Sequence, residues 1–396
     1  MRRVAITGLG VVSGLGTGEA AFAQALFSGR SAIGPIRQVD VANLRFCNGV
    51  EVAGFAWGDE REQSLYDRFA LMAGAAAEQA IQASGLPAGD RTAVVTGSCL
   101  GGNHVEDASY RELYAECRTR FHPLTIPRIM ENAPASLISH RWGLRGPCYT
   151  VATACSSSSH ALGQAFWLVR SGQAEAALVA GSDCPFTPGI LRAWEAMRVV
   201  SADTCRPFCR RRSGMVLGEG AAALALESWE SALRRGAPIR GEIVGFGMTA
   251  DAYHLTQPSG EGAARAMRSA LADAGLTPSA ISYINAHGTG TAANDPVECR
   301  AIAEVFGAPG PAISSTKSMH GHTLGAAGAL EAVATVLALE RGLLPPTVNF
   351  LEADPECPGD HVVNASRPAP LEYALSNSFA FGGLNAVIVL RRAPAR

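Results

Sequence analysis

Residues 152–172 read ATACSSSSHALGQAFWLVRSG, and residues 318–342 read SMHGHTLGAAGALEAVATVLALERG. The two stretches follow one plan. Each starts a helix beside reactive side chains, runs on through small residues and ends at a glycine, Gly172 or Gly342. Upstream of each lies an apolar strand and a glycine loop: Thr92–Val95 leading to GSCLGG (97–102), and ISYINAHGTGT (281–291). The order of elements therefore repeats, which predicts two similar halves. The seam falls in the polar stretch ESWESALRRGAPIRGE (227–242), giving an N-terminal half over 1–235 with the cysteine and a C-terminal half over 236–396 with the histidines and the lysine.

Outward from these stretches the same alternation continues. Strand-like runs at Val4–Thr7, Ala176–Val179, Ala221–Leu226, Ile243–Phe246, Ile281–Ile284 and Ala386–Leu390 are separated by helical stretches such as Arg68–Ala83, Gly262–Ala274 and Gly328–Arg341. Continuous apolar runs are strands covered by helices on both faces, so the fold class is layered α/β. At 396 residues the chain exceeds the usual single domain of about 100–200 residues. Its 47% hydrophobic and 17% charged content fills a core and excludes a disordered chain. A net charge of −2 gives no global field toward nucleic acid or anionic lipid, and no apolar run is long enough to span a bilayer. The N-terminal MRRVAITGLGVV reads as a first buried strand rather than a signal peptide, being short, β-branched and glycine-broken. Ten cysteines without a C-x-x-C pair point to free thiols in a reducing cytoplasm. The segment Gly8-Leu-Gly10-Val-Val-Ser13-Gly14 has serine where a dinucleotide fingerprint needs glycine or alanine; it reads as a tight strand-to-helix turn.

Four segments concentrate reactive side chains beside glycines. In Thr153–His160 a strand-like segment ends at Cys155 and a helix begins with it. Backbone N–H groups and the helix dipole there favour the thiolate; the same residues also read as a buried cysteine before a serine-rich cap. In Asn285–Thr291, His287 projects into a glycine loop that lets a ligand approach the backbone. In Ser314–His322, Lys317, His320 and His322 precede a small-residue helix. In Ser376–Gly383, Phe379 and Phe381 read as a lid or pocket wall, or as a turn before the last strand. Zinc is disfavoured because the ligands come from separate loops without metal-binding spacing, so no metal is expected. A hydrolytic Cys–His–Asp relay through Asp295 leaves Lys317 and the other histidines unexplained. Two histidines and a lysine beside a thiol suit carbon–carbon bond formation on thioesters, with N–H donors stabilising an enolate oxygen.

The motifs T-A-C-S-S-S, N-A-H-G-T-G-T, S-S-T-K-S-M-x-G-H and N-S-F-x-F-G-G resemble, in order and spacing, those of the elongating β-ketoacyl-acyl-carrier-protein synthases (ketosynthases). The resemblance runs nearly end to end. It implies the thiolase fold, two αβαβα halves in five layers, usually a homodimer. It implies that Cys155 accepts the acyl chain and that His287 and His322 bind the malonyl thioester carbonyl. Lys317, paired with Glu331, would hold the electrostatics, and the N–H groups of Cys155 and Phe381 would form the oxyanion hole. Thr289 and Thr291 would bind the pantetheine arm, Phe379 and Phe381 would gate the acyl pocket, and Leu100 would limit its depth. No resident cofactor is implied, since substrates arrive on the phosphopantetheine of an acyl carrier protein. Arg61, Arg120 and Arg206, joined by Arg210, Arg211 and Arg212, would steer that acidic partner. Departures at His320, Ala380 and Leu384 and a thinned basic patch suggest a specialised polyketide or aryl-polyene pathway with its own carrier protein. The alternatives are a non-catalytic, chain-length-factor-like subunit of a heterodimer and a coenzyme A thiolase, which needs a second reactive cysteine late in the chain; Cys357 reads as a loop residue.

Overall fold

The computed structural model describes residues 1–394. The ten principal strands are β1 (Val4–Ser13), β2 (Thr92–Gly97), β3 (Cys148–Val151), β4 (Ala176–Asp183), β5 (Gly220–Ser228), β6 (Gly241–Ala250), β7 (Ile281–Asn285), β8 (Ala312–Ser314), β9 (Tyr373–Ala380) and β10 (Leu384–Arg392). Their spatial order is 3-2-4-5-1 in the first half and 8-7-9-10-6 in the second, the same arrangement displaced by five. The sense of pairing repeats as well: β2 is parallel to β3 and β4, as β7 is to β8 and β9, while β5 and β10 run antiparallel to both of their neighbours. A short antiparallel contact of Val4–Ile6 with Gly241–Ile243 joins the halves edge to edge.

Helices complete the layers. On the outer faces lie α1 (Arg68–Ser84), which packs on β1 and β5, and α3 (Gly260–Ala274), which packs on β6 and β10. Between the two halves of the sheet lie α2 (Ser157–Ser171) and α5 (Ala327–Arg341), packed on each other and on strands of both halves; α4 (Asn294–Phe306) joins α3 outside. The result is a five-layered thiolase fold. Its middle layer explains the small residues in the two opening stretches: every residue of α5 from Ala327 to Leu339 is buried. Gly328 allows the two helices to meet, because a Cβ there would lie 2.0 Å from Ser159 Oγ.

Most expected elements appear with ends shifted by a few residues, but the Gly8–Gly14 reading is corrected. Strand β1 continues to Ser13, and the turn begins at Gly14. Gly8 and Gly10 sit inside the strand where α1 crosses it; a Cβ would approach Ala80 O to 2.2 Å and Ala76 O to 1.9 Å. These glycines serve close helix–strand packing. Among the described residues no helix is long and apolar enough to cross a membrane.

Candidate active site

The loops that follow β3, β7, β8 and β9 converge on one cavity of about 440 Å³. Cys155, His287 and His322 line it, with Thr289 and Thr291 on one side and Phe379 and Phe381 on another. Residues from both halves therefore meet where the middle layer opens. Cys155 is presented just ahead of α2, after Ala154 in the left-handed region (φ 51). The helix itself starts at Ser157, so Cys155 precedes the N-cap residue rather than beginning the helix.

The sulfur is not ionised by its backbone setting. Burial pushes the thiol up to about 12; Lys317 is the strongest opposing influence, Asp183 adds to the rise, and the N–H groups of Phe381 and of Cys155 itself favour the thiolate. The expectation of a resting thiolate is corrected accordingly: desolvation of a fully enclosed charge outweighs two N–H groups and a dipole.

The histidines are held as neutral donors. Leu324 N–H donates to His322 Nδ1 at 3.2 Å, which places the ring proton on Nε2, and that Nε2 is buried without a partner. Lys317 Nζ donates to the His287 carbonyl oxygen at 2.6 Å and stands 3.4 Å from His287 Nδ1, so that ring also carries its proton on Nε2. The rings lie edge to face, 5.5 Å apart at 84°. Burial first, then Lys317, lowers both well below the ordinary histidine value. Lys317 is completely buried and paired with Glu331, whose carboxyl burial pushes up to about 7.

Other expectations are redistributed. The Thr289 and Thr291 hydroxyls bond each other at 2.9 Å on the cavity wall. Phe379 lies 6.2 Å from the His287 ring, and Phe381 stacks on Trp194 at 6.2 Å. Leu100 is not on the wall but one layer behind it, packed in a cluster with Met215 and Val199, which do line the cavity. His320 is fully buried outside the cavity, with Nδ1 against Gly321 O and Nε2 against Thr316 Oγ1, and is pushed down to about 3. Asp295 does not relay to His287; it accepts from Phe208 N–H and Gly290 N–H. Cys357 lies in a loop, as expected, with its side chain buried in the core of the second half.

The arginines expected to steer the partner differ in their pairing. Arg206 pairs with Asp203, Arg210 and Arg211 with Glu352, and Arg212 with Asp354, while Arg61 and Arg120 stand exposed. Glu352 and Asp354, from distant sequence, offset part of the charge of the Arg210–Arg212 run, and the neighbouring Asp203 pairs with Arg206. Two further site residues escaped the sequence reading. Glu298 of α4 accepts from His287 N–H and Gly288 N–H, each at 2.8 Å, and Asp183 ends β4 beneath the cavity. A charged residue on the buried face of α4 is the signal that could have exposed Glu298.

The first 232 residues match the model of the β-ketoacyl synthase N-terminal domain, and residues 240–351 match that of its C-terminal domain. The chain belongs to the β-ketoacyl synthase family. It is 46% identical to nodulation protein E of Rhizobium sp. (strain N33), over 99% of each chain, and 41% identical to the 3-oxoacyl-acyl-carrier-protein synthase 2 of Synechocystis, over 99% of this chain and 98% of that one. Among solved structures, the ishigamide ketosynthase/chain length factor superposes with a TM-score of 0.96 at 37% identity, covering 99% of this chain and 100% of that one. A type II polyketide synthase ketosynthase solved in complex with its acyl-carrier protein matches with a TM-score of 0.90 at 31% identity, over 99% and 100%. The protein is an acyltransferase that carries out carrier-protein-dependent Claisen condensation in fatty-acid or polyketide elongation.

Proposed function

We propose that the acyl chain is held on Cys155 and extended by malonyl-acyl carrier protein through His287 and His322. The observation that carries this reading is the shared cavity, lined by Cys155, His287, His322 and Phe381, with His322 Nε2 buried and unpartnered. In the first step the Cys155 sulfur bonds to the acyl carbon, the carrier's carbon–sulfur bond breaks, and the released pantetheine sulfur takes the thiol proton. The N–H groups of Cys155 and Phe381 hold the oxyanion. In the second step both Nε2–H groups bond the malonyl thioester oxygen. The bond to the carboxylate breaks, CO2 leaves, and the enolate carbon attacks the acyl carbon. Cys155 departs as the thiolate and takes up a proton from solvent, giving β-ketoacyl carrier protein. Neutral histidines suit this role, because they donate without first losing a charge. Thr289 and Thr291 hold the pantetheine arm, Phe379 and Phe381 gate the acyl chain, and Leu100 bounds it from behind Met215. The reaction so written uses no resident cofactor.

The partner is an acyl carrier protein docking near exposed Arg61 and Arg120, with Arg206 tied back by Asp203. The chain divides near residue 235 and pairs through the first half. Two features support pairing: β3 ends the sheet with a free edge, and the neighbouring segment exposes Tyr114, Ile126 and Met130. The second subunit is another copy, or a chain-length-factor-like chain of the kind named with one structural neighbour. A specialised pathway is supported by the altered gate and by the greater likeness to nodulation protein E than to the synthase 2 enzymes. Ten free thiols fit a cytoplasmic setting. Intact-protein mass spectrometry after incubation with a panel of acyl carrier proteins tests the reading. An acyl mass on the wild type that vanishes in Cys155→Ala is expected; labelling that survives in that variant defeats it.

A further inference from the structure

The carboxylate of Asp183, completely buried at the end of β4, is the meeting point of both halves beneath the cavity. One oxygen accepts from Ser98 Oγ at 2.7 Å and Leu100 N–H at 3.1 Å. The other accepts from Cys99 N–H at 3.1 Å and, across the seam, from Gly325 N–H at 2.6 Å. Gly325 follows Leu324, the residue whose N–H fixes His322 as the Nε2–H tautomer and whose own backbone is left-handed at φ 53. No side chain fits at Gly325, where a Cβ would lie 2.5 Å from Asp183 Oδ2 and 2.8 Å from Cys99 N. On the other side of the carboxylate, Cys99 and Leu100 pack with Met215 and Val199, which line the cavity.

We propose that Asp183 is a positioning residue for the condensation, a clamp that holds the His322 loop of one half in register with the Ser98–Leu100 loop of the other. The inference rests on the roles proposed above for Cys155 and His322. A buried carboxylate with four donors is a strong and directional anchor. A left-handed residue beside a catalytic ring needs such an anchor, because the surrounding structure must over-determine a strained backbone. The clamp has a side effect. Its charge opposes ionisation of Cys155, whereas Lys317 and the N–H groups of Phe381 and Cys155 favour it; the other titratable groups near the sulfur are the Cys99 thiol and the two cavity histidines. Positioning and thiol reactivity therefore respond to Asp183 in opposite directions.

That opposition gives the test. Asp183→Asn keeps the shape but turns an amide NH2 toward N–H donors, breaking one side of the clamp while removing the charge. Turnover of malonyl carrier protein is expected to fall about tenfold to a hundredfold in kcat with little change in KM, and iodoacetamide alkylation of Cys155 at pH 8 is expected to speed up severalfold. Turnover within twofold of the wild type, or alkylation that slows along with turnover as in simple structural damage, overturns the proposal. Ser98→Ala removes one of the four bonds to the carboxylate, together with the bond that Ser98 Oγ accepts from Gly101 N–H, and leaves the charge, so turnover is expected to fall severalfold with unchanged alkylation. Should Asp183→Asn fail to fold, that variant decides alone, and undiminished turnover in it overturns the clamp. Acyl loading of wild-type Cys155 is measured alongside: absence of loading defeats the functional reading, whereas normal loading with an indifferent Asp183→Asn defeats only the clamp.

Discussion

Replacing Lys317 with methionine, which has similar volume, separates two contributions of the buried ion pair. Lys317 and Glu331 are both completely buried, and one Glu331 oxygen already lacks a partner. Removing the ammonium strips the other oxygen and leaves an uncompensated carboxylate, at a cost of about 3–5 kcal/mol, a large share of the ~5–15 kcal/mol that holds a folded protein together. Burial already pushes Glu331 up to about 7 against the pull of Lys317, so without the lysine it takes up a proton more readily. The neutral acid is the tolerable form, so the deficit of Lys317→Met should be larger at pH 8 than at pH 6. The double variant Lys317→Met/Glu331→Leu should regain most of the stability, since an apolar pair replaces a buried ionic one at little cost. It should not regain activity, because His287 loses the donor at Nδ1 and at its carbonyl oxygen; loss of such preorganisation costs about 10²-fold or more. Urea unfolding followed by circular dichroism at both pH values, with CO2 release from malonyl carrier protein, measures both arms. A single variant as stable as the wild type, or a double variant with restored turnover, refutes the reasoning.

Three further outcomes follow from the same geometry. Alkylation of Cys155 should climb through pH 8 to 10 without a plateau, because a thiol pushed up to about 12 is ionised to only about 10⁻⁴ at pH 8; a plateau near pH 8 would show a resting thiolate. His320, pushed down to about 3, stays neutral in the fold while its unfolded counterpart protonates near the ordinary value. Below about pH 6.5 the wild type should therefore lose about 1.4 kcal/mol per pH unit relative to His320→Thr, as read from paired denaturation curves, and a pH-independent difference counts against it. Gly328→Ala should destabilise by about 1–3 kcal/mol in thermal unfolding, since the new Cβ meets Ser159 Oγ at 2.0 Å; an unchanged melting temperature would mean that α2 and α5 pack more loosely than the structure has them.

The local signals were strong where chemistry and backbone coincide. Cys155, His287, Lys317 and His322 were legible because each sits beside glycines or small residues at the end of a strand, a pattern readable within ten residues. The small residues that open α2 and run through α5 showed a duplicated, layered chain, since a middle layer buries a helix on most of its faces. Gly8 and Gly10 misled because the reason for them, the carbonyls of Ala76 and Ala80, lies some seventy residues away.

What the sequence determined by itself was the type of elements and the identity of the reactive groups, both of which are properties of near neighbours along the chain. Tertiary structure alone decided their state. Burial from all sides holds the Cys155 thiol protonated and both histidines neutral, and the groups that bear on each charge (Lys317 beside His287, Asp183 and Lys317 near Cys155, Glu352 and Asp354 across from the arginines) come from distant segments. Ionisation depends on the whole dielectric and charge surroundings of a group, and no local stretch of this chain contains those.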